Sequence, residues 1–255
     1  MPNRLPDTYP TERRALQVVT THVVARRLHA ATGRFGLRAT PGGFGTPQFE
    51  TPDVGRERLR VTGGRLVRER LDPTATTESM PIDGSTLLEL AAFAGVELTG
   101  ADADAFSVGH DTPALGDIDR RIGVGTETTR VIGDWFGIVA GALDAIVGTV
   151  TDARSTPTVA QLWPEHFDLA FDLAFDPDAT DTRRVNVGGA VGDGFEPEPY
   201  LYVGPWTDDR PGDSDFWNAP FGAVLRRDDV FAGDDPTDVA AAFLERGLAM
   251  LSTTG

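Results

Sequence analysis

The amino-acid sequence predicts an α+β protein in which a mainly antiparallel sheet of about seven or eight strands packs against three main helices. Short runs such as 167–176 alternate apolar and polar residues, which is typical of half-buried strands, and turns rich in glycine and proline separate them. Three longer stretches repeat apolar residues every three or four positions, which is typical of helices that cover one face of a sheet. These predicted helices span 11–31, 127–147 and 237–251.

The first predicted element is the helix over 11–31. Pro10 suits the first turn of a helix, and Gly33 suits the position just after its end. His22 and His29 lie two turns apart, about 10 Å along the helix axis, so they cannot bind one metal ion as a pair. We expect both histidines to be structural.

Two hairpins are predicted after this helix. The first turns at the glycine-rich segment 41–45. The second turns at Gly63 and Gly64, because paired glycines tolerate the positive φ angles of tight hairpin turns. The strands of the two hairpins are 35–40 with 46–51, and 58–62 with 65–70.

Loops, helices and strands alternate in the rest of the chain. Residues 72–85 show no periodicity and are predicted as a loop, and a short helix over 87–96 follows. The stretch 101–125 is predicted to be irregular, and irregular segments of this length are often functional. In the helix over 127–147, glycines recur every fourth residue, which suits close packing or, alternatively, a ligand groove. Further strands are predicted at 167–176, 184–191, 200–203 and 221–226.

These elements predict a single domain over 1–255, within which two lobes can be distinguished. The first lobe, 1–71, contains the N-terminal helix and both hairpins. The second lobe, 86–255, contains the other helices and the C-terminal strands. The loop over 72–85 is predicted to join the two lobes.

The composition excludes several classes of function. The 39 acidic and 23 basic residues give a net charge of −16, whereas affinity for nucleic acid or anionic membranes comes largely from Lys and Arg. We therefore expect neither nucleic acid nor membrane as a main partner, although a small basic patch is compatible with this charge. The absence of cysteine excludes disulfides, thiolate nucleophiles and zinc–thiolate sites.

The sequence predicts a cytoplasmic location. Residues 1–14 are polar and lack the apolar core of a secretion signal. The most apolar stretch, 131–150, includes Asp134 and Asp144, each of which is costly at membrane depth. We expect this stretch to be a buried helix.

The balance of charged residue types has two explanations. All basic residues are arginine, and aspartate outnumbers glutamate 27 to 12. GC-rich coding favours arginine over lysine, whereas adaptation to concentrated salt favours many carboxylates. Salt adaptation predicts a melting temperature that rises between about 0.1 and about 2 M NaCl, because salt screens the repulsion between carboxylates.

Histidine and aspartate side chains form one candidate site. If Phe167 faces the core, His166, Asp168 and Asp172 share the other face of the strand, where residues two apart lie about 7 Å from each other. His110 and Asp111 lie in the irregular stretch, and imidazoles with carboxylates can bind a divalent metal ion. The alternative is that these histidines only form hydrogen bonds to the carboxylates of an acidic surface. A catalytic base would come from one of two carboxylates, Glu165 or Asp117.

Aromatic side chains form a second candidate site. Ligand pockets typically combine aromatic walls with a few polar groups. The alternative is that these aromatic residues belong to the core. The candidate ligand-binding residues are Trp163, Tyr200, Tyr202, Trp206 and Trp217.

Three segments also resemble those of a known family. In order along the chain, they are PGGFGT at 41–46, QLWPEHFDLA at 161–170 and EPYLYVGPW at 198–206. They resemble an uncharacterised family of predicted proteins from GC-rich prokaryotes, and the resemblance spans most of the chain. It implies no activity, cofactor or catalytic residue, but it indicates that the aromatic and acidic segments are features of the family.

Two hypotheses of function follow. The first is a soluble cytoplasmic binding or accessory protein that holds a small molecule in an aromatic and acidic cleft. The second is a metal-assisted hydrolase in which one divalent ion activates a water molecule. The ion would be held by His166, Asp168, His110 and Asp111. The sequence leaves the ligand, the reaction and the oligomeric state open.

Overall fold

The computed structural model describes residues 4–52, 55–72, 74–98, 105–150, 156–175 and 184–252. It confirms the α+β class and the antiparallel pairing of the strands. The strands form two separate sheets, so the prediction of one sheet of seven or eight strands was wrong. The reason is that the alternation of apolar residues identifies a strand but not its neighbours.

The helices of the described residues include the three predicted long ones. The N-terminal helix consists of an α-helical part, a π-helical segment (Thr20–Ala25) and a second α-helical part. The α-helices are α1 (Tyr9–Val19), α2 (Arg26–Thr32), α3 (Leu87–Ala94), α4 (Thr126–Val150), α5 (Arg227–Val230) and α6 (Pro236–Ser252).

The first sheet has the order β1-β2-β4-β5-β6, with β3 paired to β4. Its strands are β1 (Arg38–Thr40), β2 (Gly43–Gly45), β3 (Phe49–Thr51), β4 (Gly55–Thr62), β5 (Arg65–Arg70) and β6 (Thr76–Pro81). The second sheet contains the order β12-β11-β10-β9-β7. The later strands are β7 (Thr156–Pro157), β8 (Gln161–Trp163), β9 (Asp168–Ala174), β10 (Arg184–Ala190), β11 (Tyr200–Pro205) and β12 (Ala223–Arg226).

The chain divides into two compact units. The N-terminal unit comprises Leu5–Gly137 and Leu162–Phe167. The C-terminal unit comprises Met1–Arg4, Ile138–Gln161 and Asp168–Gly255. The division therefore falls inside α4, and the first sheet belongs to the N-terminal unit. The number of independently folding domains stays a prediction.

The helix predicted over 11–31 is confirmed as a continuous helical run from Tyr9 to Thr32. It ends at Gly33, whose φ of +72° is the left-handed conformation that glycine adopts without steric cost. The π-helical segment within it was not predicted. All six residues of that segment are buried, including His22.

The strand pairing predicted for the first hairpin, 35–40 with 46–51, was wrong. β1 pairs with β2, which lies inside the predicted turn, and β3 pairs with β4. Glycine content suggested one long turn, but only Gly42 has a positive φ. At Gly43 and Gly45, a Cβ atom would lie 1.9 and 2.1 Å from carbonyl oxygens of β4, so these glycines allow a close approach of two strands. The second hairpin, β4 with β5, is confirmed.

The loop predicted over 72–85 contains a strand. β6 pairs with β5 along its whole length, from Thr76 opposite Arg70 to Pro81 opposite Arg65. Five of its six residues are exposed, and its first four are polar, so it lacks the apolar alternation by which strands are recognised. Residues on both sides of this segment belong to the N-terminal unit.

A buried ion cluster fixes the first sheet to its helices. The Glu57 carboxylate on β4 is fully buried and bonds to Arg27 of α2 and to Arg68 of β5, at 2.7 and 2.8 Å. Arg68 also donates to the carbonyl oxygen of Phe93 in α3. The helices therefore cover the face of the sheet that carries Glu57.

The helix predicted over 127–147 is confirmed as α4. By length and composition alone, its segment Thr126–Gly148 could cross a membrane, but half of the most apolar part is buried within the protein. Gly133 lies where a Cβ atom would come within 2.9 Å of Gly43, and Gly141 lies equally close to Thr237 of α6. These two glycines therefore serve close packing, whereas Gly137 has open space around it.

The second sheet is built from the strands predicted at the C-terminal end. β9, β10, β11 and β12 follow one another as an antiparallel meander. The helix predicted over 237–251 is confirmed as α6, which packs on β11 so tightly that a Cβ atom at Gly247 would lie 2.8 Å from the Val203 side chain. Strand residues that share a face with Val203 therefore point toward α6.

Candidate functional site

The face of the second sheet opposite Val203 carries aromatic and acidic side chains. We call it the aromatic face. On β11 it contains Tyr200 and Tyr202, which alternate with the residues that point toward α6. The register places Gly188 of β10 opposite Tyr202, and Ala190 opposite both Tyr200 and Asp168.

A hydrogen bond spans this face. The Tyr202 hydroxyl donates to Asp168 on β9, two strands away, which corresponds to about 10 Å between the strand axes. The phenol ring can reach across β10 because the intervening residues, Gly188 and Ala190, have small side chains. Burial, together with the negative charge of Asp168, holds the pKa of Tyr202 well above its usual range. The phenol thus remains a neutral donor to a buried carboxylate.

Two phenylalanine rings form a group with Tyr200 at one end of the face. The ring centroid of Phe195 lies 5.9 Å from that of Tyr200 and 5.1 Å from that of Phe221. Tyr200 is held by its hydroxyl, which donates to Asp193 at 2.7 Å. Phe195 and Phe221 remain 43% and 38% exposed, so the ring group opens to solvent.

Trp206 follows β11 and is 52% exposed. Its indole nitrogen donates to Asn186 Oδ1 at 3.1 Å, and the guanidinium of Arg184 lies 5.0 Å from its ring centroid. Arg184 in turn forms an ion pair with Asp172. The polar groups of Asn186, Arg184 and Asp172 are therefore held beside an exposed indole.

Three of the five predicted ligand-binding residues thus lie on or next to the aromatic face, namely Tyr200, Tyr202 and Trp206. Trp163 belongs to the N-terminal unit, where its ring lies 6.1 Å from that of Phe35. Trp217 contacts Phe216, whose ring packs on Phe243 of α6. Neither tryptophan is part of the aromatic face.

Sequence reasoning missed Phe195, Phe221, Asn186 and Arg184. The two phenylalanines lie in loops, and no local pattern connects positions 26 residues apart. Asn186 and Arg184 had a usable signal, because on β10 they alternate with the buried residues Val185 and Val187.

The predicted metal ligands separate into two groups. Asp168 lies on β9 and bonds to Tyr202. His166 does not continue this strand, because the preceding turn is closed by a bond from Phe167 N to the Trp163 carbonyl and Phe167 adopts a φ of +55°. The prediction that His166 and Asp168 share one strand face was therefore wrong.

His110, Asp111 and His166 do come together in the N-terminal unit. Asp111 Oδ2 lies 3.0 Å from His110 Nε2 and 3.7 Å from His166 Nδ1. The three side chains are between 48% and 89% exposed. Such a surface cluster agrees with the alternative interpretation, in which imidazoles form hydrogen bonds to a solvated carboxylate.

The N-terminal helix holds the two loops that carry this cluster. Gln17 donates to the Glu165 carbonyl at 2.6 Å, and Thr21 donates to the Pro164 carbonyl at 3.1 Å. His22 Nε2 lies 2.7 Å from the carbonyl oxygen of Pro113. His22 is structural, as predicted, and it fixes the loop that contains His110.

The two candidate bases have different surroundings. The Glu165 side chain is buried, and its carboxylate lies against the backbone of Gly109. Asp117 is exposed and accepts a bond from the backbone of Asp119, as in a local turn. Within the described residues, no group of three or more His, Asp and Glu side chains could hold a metal ion. The metal-assisted hydrolase stays a prediction for which no metal-binding group is described.

Comparisons with known proteins found no similar protein. No protein-family model, curated protein sequence or solved structure matches this chain. A functional hypothesis therefore depends on the geometry described above.

Proposed function

We propose that this is a small-molecule binding protein whose ligand lies on the aromatic face of the second sheet. The observation that carries this proposal is the hydrogen bond from Tyr202 to Asp168 across Gly188 and Ala190. It places a carboxylate and a phenol, both held in position, beside the exposed rings of Phe195 and Phe221.

The chemistry of this face fits an uncharged or cationic organic molecule with a flat apolar part. Phe195, Phe221 and Trp206 offer ring faces and edges to such a molecule, and large aromatic side chains are frequent in ligand sites. Asp168 and Asn186 supply hydrogen-bond acceptors nearby. A structural role for the tyrosines alone would not require two phenylalanines and a tryptophan to remain exposed beside them.

The proposal is tested by a panel of aromatic and heterocyclic metabolites, with the melting temperature and tryptophan fluorescence as readouts. We expect at least one compound to raise the melting temperature, since a ligand that binds only the folded state stabilises it. Binding should also change the tryptophan fluorescence of the protein through Trp206. This change should be absent in Trp206→Phe. The matched control is Trp217→Phe, which removes an indole on the α6 side of the sheet.

Variants of the face test where the ligand binds. Phe221→Ala should weaken binding by about tenfold or more, because stacked aromatic contacts and area burial together exceed 1.4 kcal/mol. Phe35→Ala, in the N-terminal unit, should leave binding unchanged. If Phe221→Ala binds every active compound as well as the unmodified protein does, the aromatic face is not the ligand site.

The cytoplasmic location, the family resemblance and the salt adaptation are also proposals that rest on the sequence. They are compatible with the binding proposal, and none of them is needed for it.

A further inference from the structure

The first sheet carries an excess of arginine on the face opposite Glu57. The alternation along β4 points Arg58 and Arg60 away from the helices, because Leu59 and Val61 between them are buried. Arg65 of β5 and Arg38 of β1 share this outward face by register. We call these four residues the arginine face.

The charges on the arginine face do not balance. Arg58 and Arg60 share one carboxylate, that of Glu69, at 2.6 and 3.0 Å. Arg65 donates to two uncharged oxygens of Ser79, and Arg38 is exposed. Arg58, Arg60, Arg65 and Arg38 thus share this face with the carboxylate of Glu69, which leaves an excess of three positive charges at these positions on a chain whose net charge is −16. At the other end of β4, Arg56 pairs with Asp72 and lies opposite Glu50 of β3, so this end of the face carries no positive excess.

The positions of these arginines suit a multiply charged anion of limited size. Arg60 and Arg38 lie on one rung, with Gly45 between them, so their strands are about 10 Å apart. Arg65 lies opposite Thr62, one two-residue step from Arg60, or about 7 Å along the strand. The planar guanidinium group can donate two parallel hydrogen bonds to a phosphate, which makes arginine suited to this task.

We infer that the arginine face binds a small ligand with an oligophosphate group, at a site distinct from the aromatic face. A phosphorylated small molecule fits better than a nucleic acid for two reasons. The net charge of −16 repels a long polyanion over its whole length. In addition, the outward positions of β1, β4 and β5 that the structure describes include no aromatic residue on which bases could stack.

Isothermal titration with tripolyphosphate tests this inference. The buffer should contain the lowest NaCl concentration at which circular dichroism shows the folded protein, because salt screens the interaction. We expect one tripolyphosphate to bind per chain. Arg38→Gln and Arg65→Gln should each weaken binding by about tenfold, since each removes charged hydrogen bonds to phosphate. Both side chains are exposed, so the variants should fold.

Two further variants separate binding at this face from general charge effects. Glu69→Gln should tighten binding severalfold, because it removes the one carboxylate among the four arginines. Arg246→Gln is the matched control, since Arg246 is an exposed arginine of the C-terminal unit that pairs with Asp213. It makes the net charge of the chain more negative by one unit, as Arg38→Gln and Arg65→Gln do, and should leave binding unchanged.

Three results would overturn the inference. One is the absence of tripolyphosphate binding at millimolar concentration in folded protein. Another is an equal loss of affinity in Arg246→Gln and Arg65→Gln, which would indicate an effect of net charge alone. The third is tight binding of a single-stranded oligonucleotide that tripolyphosphate does not displace, which would assign the face to nucleic acid. Failure of the aromatic-face proposal would alter none of these measurements.

Discussion

The two sheets hold their buried carboxylates in different ways. In the first sheet, Glu57 lies on the helix-covered face and is neutralised by two arginines. In the second sheet, Asp168 lies on the face opposite α6 and accepts a hydrogen bond from the neutral phenol of Tyr202. A buried charge is tolerated only when it is paired or hydrogen-bonded, and this chain uses both solutions. The pairing of Glu57 depends on opposite charges. The hydrogen bond to Asp168 depends on Gly188 and Ala190 of β10, whose small size lets the Tyr202 ring cross that strand.

The largest effect is expected from Glu57→Gln. The substitution leaves Arg27 and Arg68 with no carboxylate between them, and breaking a buried ion cluster typically costs about 3–5 kcal/mol. Chemical denaturation in molar salt measures this loss. The control is Glu78→Gln, because the ion pair of Glu78 with Arg70 is largely exposed and should contribute less than about 1 kcal/mol. Equal free energies of unfolding for the two variants would show that the cluster does not stabilise the first sheet.

An intermediate effect is expected from Gly188→Ala. The new methyl group would lie 2.3 Å from the Leu169 carbonyl oxygen and 2.6 Å from Ala170 Cβ. We expect a loss of about 1–3 kcal/mol, because β9 and β10 must move apart and the path of the Tyr202 ring is narrowed. Thermal unfolding gives the measurement. Gly194→Ala is the control, since a methyl group there meets no atom within 4 Å. If Gly188→Ala is as stable as this control, the close contact between β9 and β10 at Gly188 does not limit the size of the side chain there.

The smallest effect is expected from Tyr202→Phe, which removes one hydrogen bond to Asp168. The free energy of unfolding should fall by about 1 kcal/mol near neutral pH, less than for Gly188→Ala, because the substitution removes one hydrogen bond and forces no backbone atom to move.

The same variant should change how stability depends on alkaline pH. Because the folded-state pKa of Tyr202 is raised, the unfolded chain releases its phenolic proton first, near pH 10. The stabilisation by the protonated phenol is therefore complete below about pH 10 and decreases above it, by up to about 1.4 kcal/mol per pH unit. Tyr202→Phe should lack this part of the slope. Identical slopes for the two proteins between pH 9 and 11 would contradict the assignment.

Sequence patterns predicted the long helices and most strands, because both kinds of element repeat their apolar residues with a regular period. They did not predict β6, because its first four residues are polar and exposed and show no apolar alternation. They also did not predict that the strands separate into two sheets, since the pairing of strands depends on contacts between distant segments. The partition of the twelve strands in the described part of the chain into two sheets had no signal in local periodicity.

The candidate sites were predicted only in part, because residue types can be recognised in the sequence but contacts between distant segments cannot. The tyrosines of β11 and the carboxylate of Asp168 stood out by residue type, and the structure joins them. Their connection depends on the small side chains of β10, which carry no chemistry of their own. His166 was placed on a strand because the alternation begins next to it, but the positive φ of Phe167 interrupts the extended backbone, so β9 begins only at Asp168. Backbone conformation of this kind is rare outside glycine and has no dependable sequence signal.

The exposed strand β6 has a consequence for how copies of this protein meet in solution. It stands at the end of its sheet in the described order, where backbone donors and acceptors could pair with a strand of another molecule. Glu78 places a charge in the middle of this edge, and Pro81 removes a backbone donor at its end. Both features discourage edge-to-edge aggregation. The protection of this edge is therefore local to its own residues, and salt that screens the long-range repulsion between molecules leaves the missing donor of Pro81 unaffected.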